Sequence, residues 1–301
     1  MSIPFQKKLP QCEGPKLHPF SKRKVDVEFI RLLSDNEQEG QSHVFEVVIN
    51  NRHYALKMFK FFDLDDVKFG MSEEEINNIS NETLRCHSDP FYNECCAYGR
   101  LIECGVNGKI ALRCHGHLAI PAAREEELAQ RFEVYDWDRP RDDSKLTVSK
   151  RQPFAAIVKD LVQDHSPLNE RALCKMRRDL LKMRKIGVYP QDVYLRNYGG
   201  GLLLDFSIAI TKPHWLFVFK QPWLIRSMKN DEMRMLQKLM LESGVKTWQR
   251  AVRNREYCMK LRGCPEGKER NKKERRRRRM YPSRSIWSSM LSRKIRGQLF
   301  T

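Results

Sequence analysis

No two cysteines in this chain stand in a C-x-x-C pair. Its nine cysteines, at positions 12, 86, 95, 96, 104, 114, 174, 258 and 264, are odd in number and scattered. That argues against a disulfide framework or a zinc ribbon and for a reducing compartment. Long apolar runs are also lacking. The longest apolar patch, from His214 to Ile225, is broken by Lys220 and Pro222 and is too short to cross a bilayer. The opening residues Met1 to Lys8 lack the apolar core of a signal peptide. A soluble, intracellular protein with no membrane partner is therefore expected. Internal repeats are absent as well, which excludes solenoids and propellers.

What the chain does have is length and an apolar fraction suited to folding. Its 301 residues, 41% of them hydrophobic, can bury a substantial core as one two-lobed domain or two small ones. The formal charge of +18 is unevenly spread: residues 266–301 hold thirteen Lys or Arg against three Glu, a net of +10, which leaves about +8 for the remainder. Within that tail the run Arg275 to Arg279 is five consecutive arginines, close to Tyr281 and Trp287. Such a block repels itself, so it points to a polyanion partner, nucleic acid or chromatin, or to importin and nuclear import, beside a plain solubility role.

The pattern of elements begins after residues 1–24, which have no period that would bury anything and read as a flexible leader. Val25 to Leu33, Val44 to Ile49 and Arg52 to Phe59 read as strands, the last two joined at Asn50-Asn51. Pro90 to Ile102 carries one apolar helical face, with Asp89 placed as its N-cap. Ile110 to Cys114 and His117 to Ile120 fit two short strands. Residues 122–152 are charged and read as an insertion or linker, with a helix at Glu125 to Phe132. Pro153 to Val162 is a buried strand running into a connector. Asn169 to Ile186 is an amphipathic helix with Leu173, Met176, Leu180, Leu181 and Met183 inward, stopped by Gly187. Asp231 to Leu241 and Val245 to Met259 supply two further helices.

Chemistry concentrates in Gly187 to Asn197 and in the stretch that follows. Asp192 and Asn197 stand five positions apart, and a glycine hairpin at residues 199–201 then feeds the apolar strand Leu202 to Leu204, which ends in Asp205-Phe206-Ser207. Earlier, Lys57 closes the strand Tyr54-Ala-Leu-Lys57, and Glu94 lies at the edge of the apolar stripe of the first long helix. Singly, each has an ordinary explanation. A lysine ending a strand is as a rule a solvated edge residue, a helical Glu usually faces water, and Asp and Asn make turns. Asp205 is less ordinary, because a carboxylate after three leucines needs a cation or hydrogen-bond donors. Taken in order, the residues resemble a protein-kinase-like domain. Across residues 25–260, Tyr54 to Lys57, Phe91 to Leu101, Asp192 to Tyr198 and Leu204 to Ser207 resemble more closely a fungal family classed with an inner-kinetochore subunit.

The resemblance implies an α+β, two-lobed protein-kinase-like fold. An antiparallel-sheet small lobe with one inserted helix and the hinge would span 25–162, a reduced helical large lobe 163–262 and a basic tail 263–301. It further implies ATP held by Lys57, Glu94, Gly40 and Val44, Mg²⁺ held by Asn197 and Asp205, and Asp192 accepting the proton of an acceptor hydroxyl. Departures accompany it. Gly40 is alone where a glycine-rich loop should cradle phosphates. Pro190 and Gln191 replace the His and Arg before Asp192, and Ser207 replaces the glycine after Asp-Phe. No A-P-E anchor follows Ile210. Two functions are thereby expected as alternatives: an atypical ATP/Mg²⁺-dependent phosphotransferase, or a pseudokinase acting as a nuclear, chromatin or kinetochore binding module through its tail. Cys104, Cys114, His115 and His117 lack a second pair at ligand spacing, so buried thiols and ordinary imidazoles are expected there.

Overall fold

The computed structural model describes residue 9 and residues 13–21, 25–34, 40–162 and 169–242. The fold is mixed α/β and is organised on one five-stranded antiparallel sheet. Strands β1 (Glu28–Leu32), β2 (Ser42–Ile49) and β3 (Arg52–Phe59) follow one another as expected. The β2–β3 turn places Asn50 and Asn51 at φ of 50° and 60°, a left-handed pair that asparagine tolerates and a tight hairpin requires. Three short helices follow, α1 (Asp65–Lys68), α2 (Glu73–Asn78) and α3 (Asn81–Cys86). Next comes α4 (Pro90–Glu103), where Asp89 accepts from the Phe91 N–H and Pro90 occupies the first turn.

Strand β4 (Cys114–Ile120) is single; the expected strand at 110–114 is absent, and Leu112 instead donates its N–H to the Leu203 carbonyl. After α5 (Glu125–Phe132) and α6 (Arg141–Ser144), β5 (Phe154–Lys159) enters between β3 and β4, giving the order β1-β2-β3-β5-β4. The remainder is mainly helical: α7 (Glu170–Lys185), the two-residue strands β6 (Val188–Tyr189), β7 (Tyr198–Gly199), β8 (Leu202–Leu203) and β9 (Ile210–Thr211), then α8 (Leu216–Phe219) and α9 (Pro222–Glu242). Strand β6 pairs with β9 and β7 with β8. Helix α9 starts nine residues before the expected Asp231. The expected helix at 245–259 and the basic tail lie outside the described residues.

Strand alternation divides the sheet into two apolar faces. Ala155 and Ile157 look toward α4, where they join Phe91, Cys95 and Tyr98, and this core continues through Leu173, Met176 and Leu180 of α7 to Leu236 of α9. Leu56, Met58, Ala156 and Val158 look the other way and meet Phe29, Phe45 and Val47. The segment 122–152 covers that second face: Leu128, Val134 and Trp137 are buried in it. Its charges permit this because they pair with one another. Arg139 bonds Glu125 and Asp143 while its guanidinium stacks over Phe61 and Phe154, so the charged composition conceals a folded cover. On α7, Leu173, Met176, Leu180 and Met183 are inward as expected, but Leu181 is exposed.

Residues 13–21, within the segment read as a leader, are laid against β4 and α4. Leu17 is buried, Phe20 donates to the His117 carbonyl at 2.9 Å, and His117 donates back to that of His18 at 3.1 Å. The approach is close enough to need glycine. A Cβ on Gly116, at φ 138°, would meet the Phe20 nitrogen at 2.5 Å, and one on Gly99 would meet Lys16 backbone at 2.7 Å. Among the described cysteines, Cys95, Cys96, Cys104, Cys114 and Cys174 are free. Cys86 is disulfide-bonded, so one described thiol departs from the expected reduced set.

Candidate functional site

Register brings the first two site residues together. Lys57 of β3 lies opposite Ile157 of β5, and Ala55 lies opposite Lys159, so Lys57 and Lys159 project from the same face of the sheet, toward α4. There Glu94, fully buried, meets both: it accepts from Lys57 Nζ at 2.9 Å through Oε2 and from Lys159 Nζ through Oε1. Lys57 also donates to Asp205 Oδ1 at 2.6 Å, and Lys159 to the Leu204 carbonyl at 2.7 Å. The β7–β8 hairpin delivers Asp205. It turns on Gly200 and Gly201, both at positive φ, and the Leu204 N–H donates to the Asn197 carbonyl at 2.8 Å. Ser207, standing where the resemblance expected glycine, donates its N–H to Asp205 Oδ1 at 2.7 Å, and Asn93 of α4 donates to the Ser207 carbonyl at 3.1 Å.

The result is a quartet of two ammonium and two carboxylate groups, buried except at Asp205, whose side chain is 29% exposed. Burial alone would push the Asp205 carboxyl up. The charges of Lys57 and Lys159, with the bonds from Lys57 and Ser207, overcome it and hold Asp205 well below the usual carboxylate range. For Lys57, burial works against the charged form, and the adjoining Asp205 and Glu94 outweigh it and raise its pKa. A charge in such a place survives only when paired in this way.

Asp192 and Asn197 form a second group on the loop after β6. Asn197 donates Nδ2 to the Asp192 carbonyl at 3.2 Å, and Arg196 lies 3.7 Å from the Asp192 carboxylate. Asp192 Oδ1 is buried without a hydrogen-bond partner among the described residues. Burial raises its pKa, against the opposing pull of Arg196 and Asn197. Gln191, at φ 64°, bends the chain here. Its side chain donates to Glu232 of α9 at 3.1 Å, while Arg184 of α7 donates to the other oxygen of Glu232 at 2.7 Å. Burial lifts Glu232 to about 7 although Arg184 opposes it. Of the remaining candidates, Val44 faces Lys57 across β2–β3, with its N–H accepted by the Ser34 hydroxyl, and Gly40 is exposed. Lys159 and Glu232 were not anticipated from the sequence.

Residues 5–210 match the family described as kinetochore Sim4 complex subunit FTA2. The chain belongs to that family. The span shared with the FTA2 family takes in Lys57, Glu94, Lys159, Asp192, Asn197 and Asp205, together with the packed stretch 13–21, and stops at Ile210, ahead of α8 and α9. No curated protein matches the chain.

Asp205, the metal ligand expected together with Asn197, is already engaged within the quartet. Its Oδ1 already accepts from an ammonium and an amide, and a second ammonium stands close by, so a dication would enter beside two positive charges. Among the described residues, no group of three His, Cys, Asp or Glu could hold a metal.

Proposed function

We propose that this protein is a kinase-like binding module of a kinetochore complex, in which the residues of a phosphate and metal site serve as an internal structural cluster. Membership of the FTA2 family supports the kinetochore part, and with it protein partners and a nuclear site of action. The kinase-like part is supported by a five-stranded antiparallel sheet with a long helix between its third and fourth strands, joined by the Lys57–Glu94 pair and followed by a helical half that carries the Asp192 loop. The observation that carries the non-catalytic reading is Lys159. A second buried ammonium completes the neutralisation of Glu94 and Asp205, leaving the cluster without net charge to offer a metal-bound triphosphate.

One observation favours the second reading, phosphoryl transfer from ATP to a hydroxyl. Asp192 keeps a buried carboxylate oxygen without a donor among the described residues, as a proton acceptor would. Calorimetric titration with ATP, with and without Mg²⁺, separates the two. The module reading expects no binding at millimolar ATP, and it expects Lys159→Met to lower stability to urea by about 3 kcal/mol because a buried carboxylate loses a partner. Metal-dependent ATP binding that disappears in Lys57→Met and Asp205→Asn would overturn it and return the site to catalysis.

A further inference from the structure

Helix α7 carries a feature that the proposed function leaves unused. Its inward face is occupied by Leu173, Met176, Leu180 and Met183, all buried. At 100° per residue, the exposed cations Arg171, Arg178, Lys182 and Lys185 fall within about 60° of one another, on the opposite side of the helix. They form a straight stripe about 21 Å long at 1.5 Å per residue. The helix has two carboxylates and neither lies on the stripe: Asp179 is buried and bonded to Lys175, and Glu170 is off to one side in the first turn.

An ordinary solvated helix face alternates charge, because opposite signs at i,i+4 stabilise it and like signs destabilise it by a few tenths of a kcal/mol. Here Arg178 and Lys182 are like charges at i,i+4, and Lys182 and Lys185 at i,i+3, and the nearest carboxylate of the helix, Asp179, is already bonded to Lys175. The helix C-terminus offsets part of this repulsion at Lys182 and Lys185, and an anion laid along the stripe would offset it throughout. It is also poor in the features of a protein-binding surface, since protein interfaces are rich in aromatic anchors and depleted of lysine, and the stripe has no aromatic residue. Phosphate contacts need cations and little else.

We infer that the exposed stripe Arg171, Arg178, Lys182 and Lys185 is a docking surface for the phosphate backbone of duplex DNA, bound without sequence preference. This surface is distinct from the arginine block at 275–279 and lies on the folded part of the molecule.

The test uses the full chain with Arg275 to Arg279 changed to Gln, so that the tail does not obscure the result, and a fluorescein-labelled duplex of mixed sequence read by anisotropy. Adding Arg171→Gln, Arg178→Gln, Lys182→Gln and Lys185→Gln together is expected to weaken binding at every sequence. It should also make the slope of log affinity against log salt shallower by about 3 to 4, at roughly 0.9 per lost phosphate contact. Glutamine favours helix, and an unchanged circular dichroism spectrum certifies the fold. An unchanged slope and affinity in the quadruple variant would overturn the proposal. So would a protein that binds poly-glutamate in preference to duplex, which would assign the stripe to an acidic protein partner.

Discussion

At the residue scale, the most consequential group outside the quartet is Glu232. It is fully buried, ties α9 to α7 through Arg184, and holds Gln191 in its left-handed conformation next to Asp192. Its pKa stands at about 7 in the folded chain, above the ordinary carboxylate value of 4.5. A raised carboxyl binds its proton more tightly when folded. Its contribution to stability is therefore fully present below the unfolded value and is lost as pH rises from about 4.5 to about 7. The loss is on the order of 3 kcal/mol. Urea midpoints measured across that window should fall in the parent and fall less in Glu232→Gln; parallel profiles would exclude Glu232 as the source. Sequence order made Lys57, Glu94 and Asp205 legible because they follow one another on elements of the right kind. Lys159 was not legible. It ends the run Phe-Ala-Ala-Ile-Val-Lys like any strand-terminal lysine, and only the pairing of β3 with β5 turns it inward. Glu232 was hidden because its neighbour Asp231 is equally acidic and either could have faced water.

At the element scale, the cover made by 122–152 shows how a charged segment can be structural. Helix α5 and the turn through Trp137 close the outer apolar face of the sheet, with Trp137 packed on Phe154 at 4.5 Å and against His43 at 4.9 Å between ring centroids. Trp137→Ala should cost about 3 to 5 kcal/mol in chemical denaturation, as for other buried aromatic truncations, whereas Trp137→Phe keeps most of the volume and should cost under about 1.5 kcal/mol. Equal losses would mean that a phenyl ring does not fill the space of the indole, against the volume argument. The helix at Glu125–Phe132 could be read from sequence, but its burial could not. The apolar residues of the segment are few and widely spaced, and the ion pairs of Arg139 that allow burial join positions 14 apart and 4 apart, at no single period. The strands β1 to β3 and the helices α4 and α7 were legible for the opposite reason: their apolar residues recur at 2 or 3.6, and their ends carry caps, Asp89 and Asn169.

At the scale of the whole molecule, one apolar cluster joins the sheet, α4, α7 and α9. A core shared in this way predicts one cooperative transition. Single-tryptophan variants retaining either Trp137, above the sheet, or Trp215, beside Tyr189 and Ile210, should unfold at the same urea concentration as the far-ultraviolet circular dichroism. Separate midpoints would show that the sheet and the helical half unfold independently. This continuity was beyond the reach of sequence periodicity, which assigns a face to each element and leaves its partner open.

The stretch 18–20 beside β4 has a further consequence. A sheet of five strands ends in two rows of unpaired amides and carbonyls, and such rows recruit strands from other chains. His18 and Phe20 occupy part of the β4 row with their own backbone, through the two bonds to His117. A fragment beginning at Val25 would retain every residue of the quartet and still present that row open, inviting self-association into β-rich aggregates. Residues 18–20 thus guard this edge of the sheet against its own copies.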